Sequence, residues 1–117
     1  ASVLFTDFVG FTQISEKLTP AELVKELDRC FSFFDAVVSR HRLEKIKTIG
    51  DSYMAAGGIP EANHTHLLDC ILAALEIRTF MEQLKDSRET GGGEFGFQFF
   101  IRKRVVFVFI YQLIFIL

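Results

Sequence analysis

The stretch FTDFVGFT, residues 5–12, sets one aspartate between an apolar run and a short Gly/Phe/Thr segment. Residues 2–6 (SVLFT) read as a buried strand, which puts Asp7 at a strand end. A second stretch, KTIGDSYMA at 47–55, repeats the arrangement: an apolar run, Gly50, Asp51, then another apolar run. Residues 43–49 alternate as a strand does, Gly50-Asp51 is a turn signal, and 52–58 read as the returning strand. The two aspartates are therefore expected at strand ends, Asp51 at the tip of a hairpin.

Between and after these stretches the pattern is helical. A short helix is expected over 10–18. Thr19 as N-cap, Pro20 at the first helical position and Glu22 in the first turn open a second one. Its apolar face runs Leu23, Leu27, Cys30, Phe34, Val37 and ends near Arg40. Asn63 or Thr65 caps a third helix running to about Lys85, with Leu68, Ile71, Leu75 and Met81 expected inward. SRETGGGE, residues 87–94, reads as a loop, and 95–102 as a further strand. No internal repeat is present.

The chain has 117 residues, half of them hydrophobic, enough for one small domain with a core. A net charge of -2 argues against a nucleic-acid binder working by bulk charge. The charge is unevenly placed. All 15 acidic residues lie in 1–94 beside 10 Lys/Arg, a balance of -5, whereas 95–117 carry only Arg102, Lys103 and Arg104. Cys30 and Cys70 sit among apolar helical residues without metal-ligand spacing and without a secretory signal, and read as reduced core residues of a cytoplasmic domain. The chain starts mid-strand without Met, so it reads as a piece of a longer protein.

The last 23 residues hold 7 of the 14 Phe. Residues 105–117 form 13 positions without charge, Gly or Pro, short of the roughly 20 that a membrane-spanning helix requires. The run has the signature of a sticky β segment. Two domain segments are expected: 1–102, and an aberrant hydrophobic tail at 103–117, read as out-of-frame translation because the composition changes abruptly at Arg102; the plainer alternative is a real hydrophobic strand that completes the sheet.

Two carboxylates brought close repel one another unless a cation offsets them. Oxygen ligands with an incomplete protein shell suit Mg²⁺ or Mn²⁺, and two such ions can activate an attacking oxygen and neutralise a leaving phosphate. Gly10 lets the backbone approach a ligand, the N–H groups of the following helix start favour phosphate, and Thr12 adds a hydroxyl. Taken singly, each aspartate also fits a plainer role, Asp7 as an N-cap and Asp51 as a turn residue. His41, His64 and His66 are not spaced as a metal set and read as solvated surface residues. Arg42 and Lys45 read as the exposed face of a strand, and Phe31, Phe33 and Phe34 as core or dimer interface.

FTDFVGFTQISEKLTPAELVKELDRCFSFFDAVV followed by KIKTIGDSYMAAGGIP resembles the first half of a class III adenylate/guanylate cyclase catalytic domain, over about residues 2–85. The motifs carrying the resemblance are D-x-x-G-F-T, the F-x-x-F-D helix and K-T-I-G-D-x-x-M in order. The resemblance implies an α+β, ferredoxin-like βαββαβ core, truncated at its C-terminal side. It implies that Asp7, Asp51 and the Phe8 carbonyl bind two Mg²⁺ or Mn²⁺ ions. Nucleotide contacts are implied at Asp7, Phe8, Val9, Gly10, Phe11, Thr12, Lys47, Ile49, Gly50 and Asp51. Lys47 falls where adenylate cyclases select their purine; a Lys ammonium can donate to adenine N1 but not to the protonated N1 of guanine, which favours ATP.

The implied reaction is attack of the ribose 3′-oxygen on the α-phosphorus, giving cyclic AMP and pyrophosphate, at the interface of a homodimer or of a heterodimer with another cyclase domain. The strand expected to read R-I-G-I-H-x-G departs after FFIR at 99–102, and no position matches the family's ribose-binding Asn and Arg. No catalytic side chain is therefore carried over, and weak or no turnover is expected of the chain alone. The alternatives from other classes are a non-catalytic dimerisation or regulatory module and a non-functional truncated product. Membrane attachment is expected only through absent parts of the parent protein.

Overall fold

A computed structural model describes residues 1–8, 11–91 and 107–112. The elements are β1 (Ser2–Asp7), α1 (Phe11–Ser15), α2 (Pro20–Arg40), β2 (Glu44–Ile49), β3 (Ser52–Gly57), α3 (His66–Gly91) and β4 (Phe107–Gln112). The strands form one sheet in the order β2-β3-β1-β4. Every neighbouring pair is antiparallel. With α1 as a one-turn addition, the βαββαβ order and this strand arrangement give the ferredoxin-like topology expected from the sequence.

α2 begins as its sequence dictates. The Thr19 hydroxyl accepts from the Glu22 N–H at 3.2 Å, and the Glu22 carboxylate accepts from the Thr19 N–H at 2.8 Å, a complete capping box. Cys30, Phe34 and Val37 are fully buried, with Leu23 and Leu27 packed beside them. On the sheet, Ser2, Leu4 and Thr6 of β1 and Tyr53 and Ala55 of β3 are fully buried. They lie opposite one another in register and face the helices. Phe8 stacks on Phe34 at 6.5 Å between ring centroids, and Tyr53 meets the same ring edge-on at 5.6 Å. Cys30 and Cys70 are buried free thiols, as core residues should be.

α3 corrects the sequence reading. Leu68, Ile71 and Leu75 point outward, Leu68 55% and Leu75 52% exposed. The buried line is Cys70, Ala73, Ile77 and Met81, so of the expected inward residues only Met81 holds that place. The helix packs on its small residues because it lies close to the sheet. The Cys70 thiol is 3.8 Å from the Ser2 carbonyl, and a Cβ added at Gly57 would meet Leu43 at 2.9 Å and His66 at 3.1 Å. α3 also continues to Gly91, through the first residues of the expected loop. α1 is shorter than the expected helix over 10–18. The strand expected over 95–102 lies outside the described residues. Within the expected tail, residues 107–112 pair with β1 from Asp7↔Phe107 to Ser2↔Gln112.

Candidate active site

The antiparallel register brings the two aspartates together. Thr6 lies opposite Tyr53, so Asp7 ends β1 beside Ser52, whose hydroxyl is 3.5 Å from the Asp7 carboxylate. Gly50, at φ +57°, makes the hairpin turn that places Asp51 next to them; a side chain is disfavoured at that dihedral. The Asp51 carboxyl is pushed up to about 6 by partial burial, by its hydrogen bond with Asp7 and by the Asp7 charge, while the main-chain N–H groups of Asp51 and Phe8 pull the other way. Two carboxylates brought this close raise one another in this way.

Phe8 explains how the chain turns past this pair. Its ring is buried against Phe31 and Phe34. Anchoring the ring leaves the Phe8 main chain beside Asp51. Two carboxylates and a main-chain carbonyl are hard oxygen donors, a set that suits a divalent cation completed by water and phosphate. Among the described residues no group of three or more His, Cys, Asp or Glu able to hold a metal is present. Phe11 packs against the core and Thr12 is exposed in α1. Val9 and Gly10 lie outside the described residues.

Lys47 and Ile49 lie on β2, opposite Met54 and Ser52. Those partners share a sheet face with Phe5 and Asp7, away from the helices. Lys47, Ile49, Gly50 and Thr12 are all exposed, Ile49 at 58%. The helix-free face thus carries Asp7 at one end and Lys47 two strands across.

Other expected surface groups are more engaged than their composition suggested. His66 hydrogen-bonds the buried Ser2 hydroxyl at 2.7 Å and is not a solvated histidine. His41 bonds Glu76 at 2.7 Å, and Arg40 bonds the same carboxylate. Arg42 reaches Thr65 at 3.0 Å and Asp69 at 3.3 Å. Lys45 lies 3.0 Å from Asp35 of α2, and Asp35 also accepts the Tyr53 hydroxyl at 2.6 Å. The sequence reading missed this last network. Its one sequence signal is the Asp that closes the F-x-x-F-D helix. A separate cleft of about 410 Å³, lined by Arg42, Glu44, Ile59, Pro60, Glu61 and Asn63, sits at the other end of the hairpin, away from the aspartates.

A ferredoxin-like sheet with paired acids at adjoining strand ends is a broad class of domain. The relatives narrow it. Residues 1–99 match the adenylate and guanylate cyclase catalytic domain family. An adenylate cyclase of Mycobacterium tuberculosis is 48% identical over 88 residues, covering 75% of this chain and 20% of that enzyme. Human guanylyl cyclase C is 43% identical over 81 residues, covering 68% of this chain and 8% of that protein. The crystal structure of the adenylyl cyclase CyaB from P. aeruginosa superposes with a TM-score of 0.74 at 19% identity, over 93% of this chain and 52% of that one. The chain belongs to the adenylate and guanylate cyclase catalytic domain family. It spans about a fifth of the length of the mycobacterial enzyme. Among the described residues no helix is long and apolar enough to cross a membrane.

Proposed function

We propose that this chain is the metal- and nucleotide-binding part of an adenylate cyclase catalytic domain, acting with a second cyclase domain to convert ATP to 3′,5′-cyclic AMP and pyrophosphate. The observation that carries the reading is the convergence of Asp7 and Asp51, with the Asp51 carboxyl raised to about 6. Mg²⁺ or Mn²⁺ held there would supply charge neutralisation for the phosphates and acidify the ribose 3′-hydroxyl.

The chain's own residues do the rest by position. The carboxylates of Asp7 and Asp51 and the Phe8 carbonyl hold the cations. The Phe8 ring fixes that carbonyl in the core. Phe11 and Thr12 border the phosphates at the start of α1, the family resemblance assigns Val9 and Gly10 to the same contact, and Ile49 and Gly50 border the nucleotide from the hairpin. Lys47 donates to adenine N1 of the nucleotide held by the aspartates of the other chain of the dimer, which selects ATP over GTP. Relatives of both nucleotide classes match this chain, so the choice of ATP rests on Lys47. The reaction is intramolecular in the nucleotide and gains most from orientation and charge stabilisation. No position of this chain matches the family's ribose-binding and charge-stabilising groups, so a heterologous cyclase domain supplies them.

The test is calorimetric titration of the chain with ATP in the presence and absence of Mn²⁺. Binding should require Mn²⁺ and be lost in Asp7→Asn and in Asp51→Asn. Equal ATP affinity in wild type and both variants would remove the metal-site assignment.

A further inference from the structure

β2 does not run regularly. Lys45 lies opposite Ala55, but Lys47 lies opposite Met54, the next residue of β3, so Ile46 is an extra residue and β2 carries a bulge there. In a regular strand, residues two apart share a face. Lys45 and Lys47 would then both lie against α2. The bulge separates them. Lys45 shares the helix face with Ala55, where its ammonium sits 3.0 Å from Asp35 and 5.3 Å from the centre of the Tyr53 ring. Lys47 shares the open face with Met54 and, one strand further, with Phe5 and Asp7.

We infer that Lys45 and Asp35 are positioning residues for base selection: they tie the bulged edge strand to α2 and so fix where Lys47 stands on the open face. The inference rests on the reading of Lys47 as the adenine-selecting group. Three observations support it. β2 is an edge strand, paired on one side only and exposed along its whole length, so the ladder alone holds it weakly. The tie is made one residue before the bulge and two before Lys47. Asp35 is itself held by the Tyr53 hydroxyl at 2.6 Å, and Tyr53 is fully buried, so the anchor is rigid. Lys45 and Asp35 are 44% and 48% exposed, and an ion pair so exposed contributes little to global stability. Its effect is therefore local.

The experiment compares the wild-type 117-residue chain with Lys45→Met, Asp35→Asn, Lys45→Arg and Lys47→Glu. Two quantities are read: amide exchange along β2, and the ratio of ATP to GTP affinity at fixed Mn²⁺. Lys45→Met and Asp35→Asn should speed exchange several-fold at β2 amides while leaving α2 and α3 unchanged. Both should lower the ATP preference, on the order of tenfold as for a lost charged hydrogen bond, without changing Mn²⁺ affinity. Lys45→Arg should restore both readings. Unchanged β2 exchange would overturn the inference. So would faster exchange with an unchanged nucleotide ratio, provided Lys47→Glu shifts that ratio. If Lys47→Glu leaves the ratio unchanged, the underlying reading of Lys47 fails and the inference falls with it.

Discussion

At Asp51 the fold holds a carboxyl whose protonated form it prefers. Its value is raised from 3.8 to about 6, first by burial and then by Asp7. A group raised in this way contributes stability that is fully present below its unfolded value and is lost as pH rises through its folded value. The metal-free chain should therefore lose stability between about pH 4 and pH 6, and the thermal midpoint followed across that window checks it. Asp7→Asn removes the neighbouring charge but not the burial. The Asp51 titration followed by NMR should then move part of the way back toward 3.8; an unmoved titration would show that the pair does not interact. A second residue carries the opposite lesson. The Thr6 hydroxyl is fully buried and has no hydrogen-bond partner among the described residues. Thr6→Val should stabilise the chain by about 1 kcal/mol in denaturant unfolding, because it removes a desolvated group and keeps the shape. Asp7 and Asp51 were legible as a pair because each follows an apolar run that ends at a turn or helix start. The roles of Lys45 and Asp35 were not, because alternation counts residues and a bulge inserts one without any mark in the sequence.

Among the elements, α2 was legible and α3 was misread, for one physical reason. α2 has a single apolar stripe and a start fixed by Thr19, Pro20 and Glu22, so its facing and its entry are both specified. Thr19→Ala should cost about 1 kcal/mol of stability, measured by chemical unfolding. α3 offers two apolar faces. One runs through Leu68, Ile71, Leu72 and Leu75, and the other through Cys70, Ala73, Ile77 and Met81. Periodicity cannot choose between them; the bulkier face attracts the sequence reading. The sheet chooses the smaller one because α3 crosses β1 and β3 near Gly57, where there is no space for large side chains. Ile77→Ala should then cost about 2–5 kcal/mol, and Leu75→Ala should stay within about 0.5 kcal/mol. A reversed ranking in the same unfolding assay would put the helix on its other face.

For the whole molecule, the arrangement follows from a sheet that carries its helices on one face. The βαββαβ core was implied by the family resemblance, and the sheet order sets β1 between β3 and β4. The outer strand beside β1 was not readable from the motifs. Residues 107–112 fill that place, beyond the 1–99 that match the family. The face without helices carries the candidate active site and the exposed Ile49, while α3 presents a second apolar surface through Leu68, Leu72 and Leu75. These surfaces make competing claims on a partner. The proposed function needs the partner on the sheet face, because only there do Asp7, Asp51 and Lys47 meet a second domain. Sedimentation equilibrium of the chain should therefore give a dimer that Ile49→Glu weakens and Leu72→Glu leaves intact. Each substitution places a charge on an already exposed apolar side chain, so neither burdens the core. The opposite pattern would move the partner to α3, away from the two aspartates.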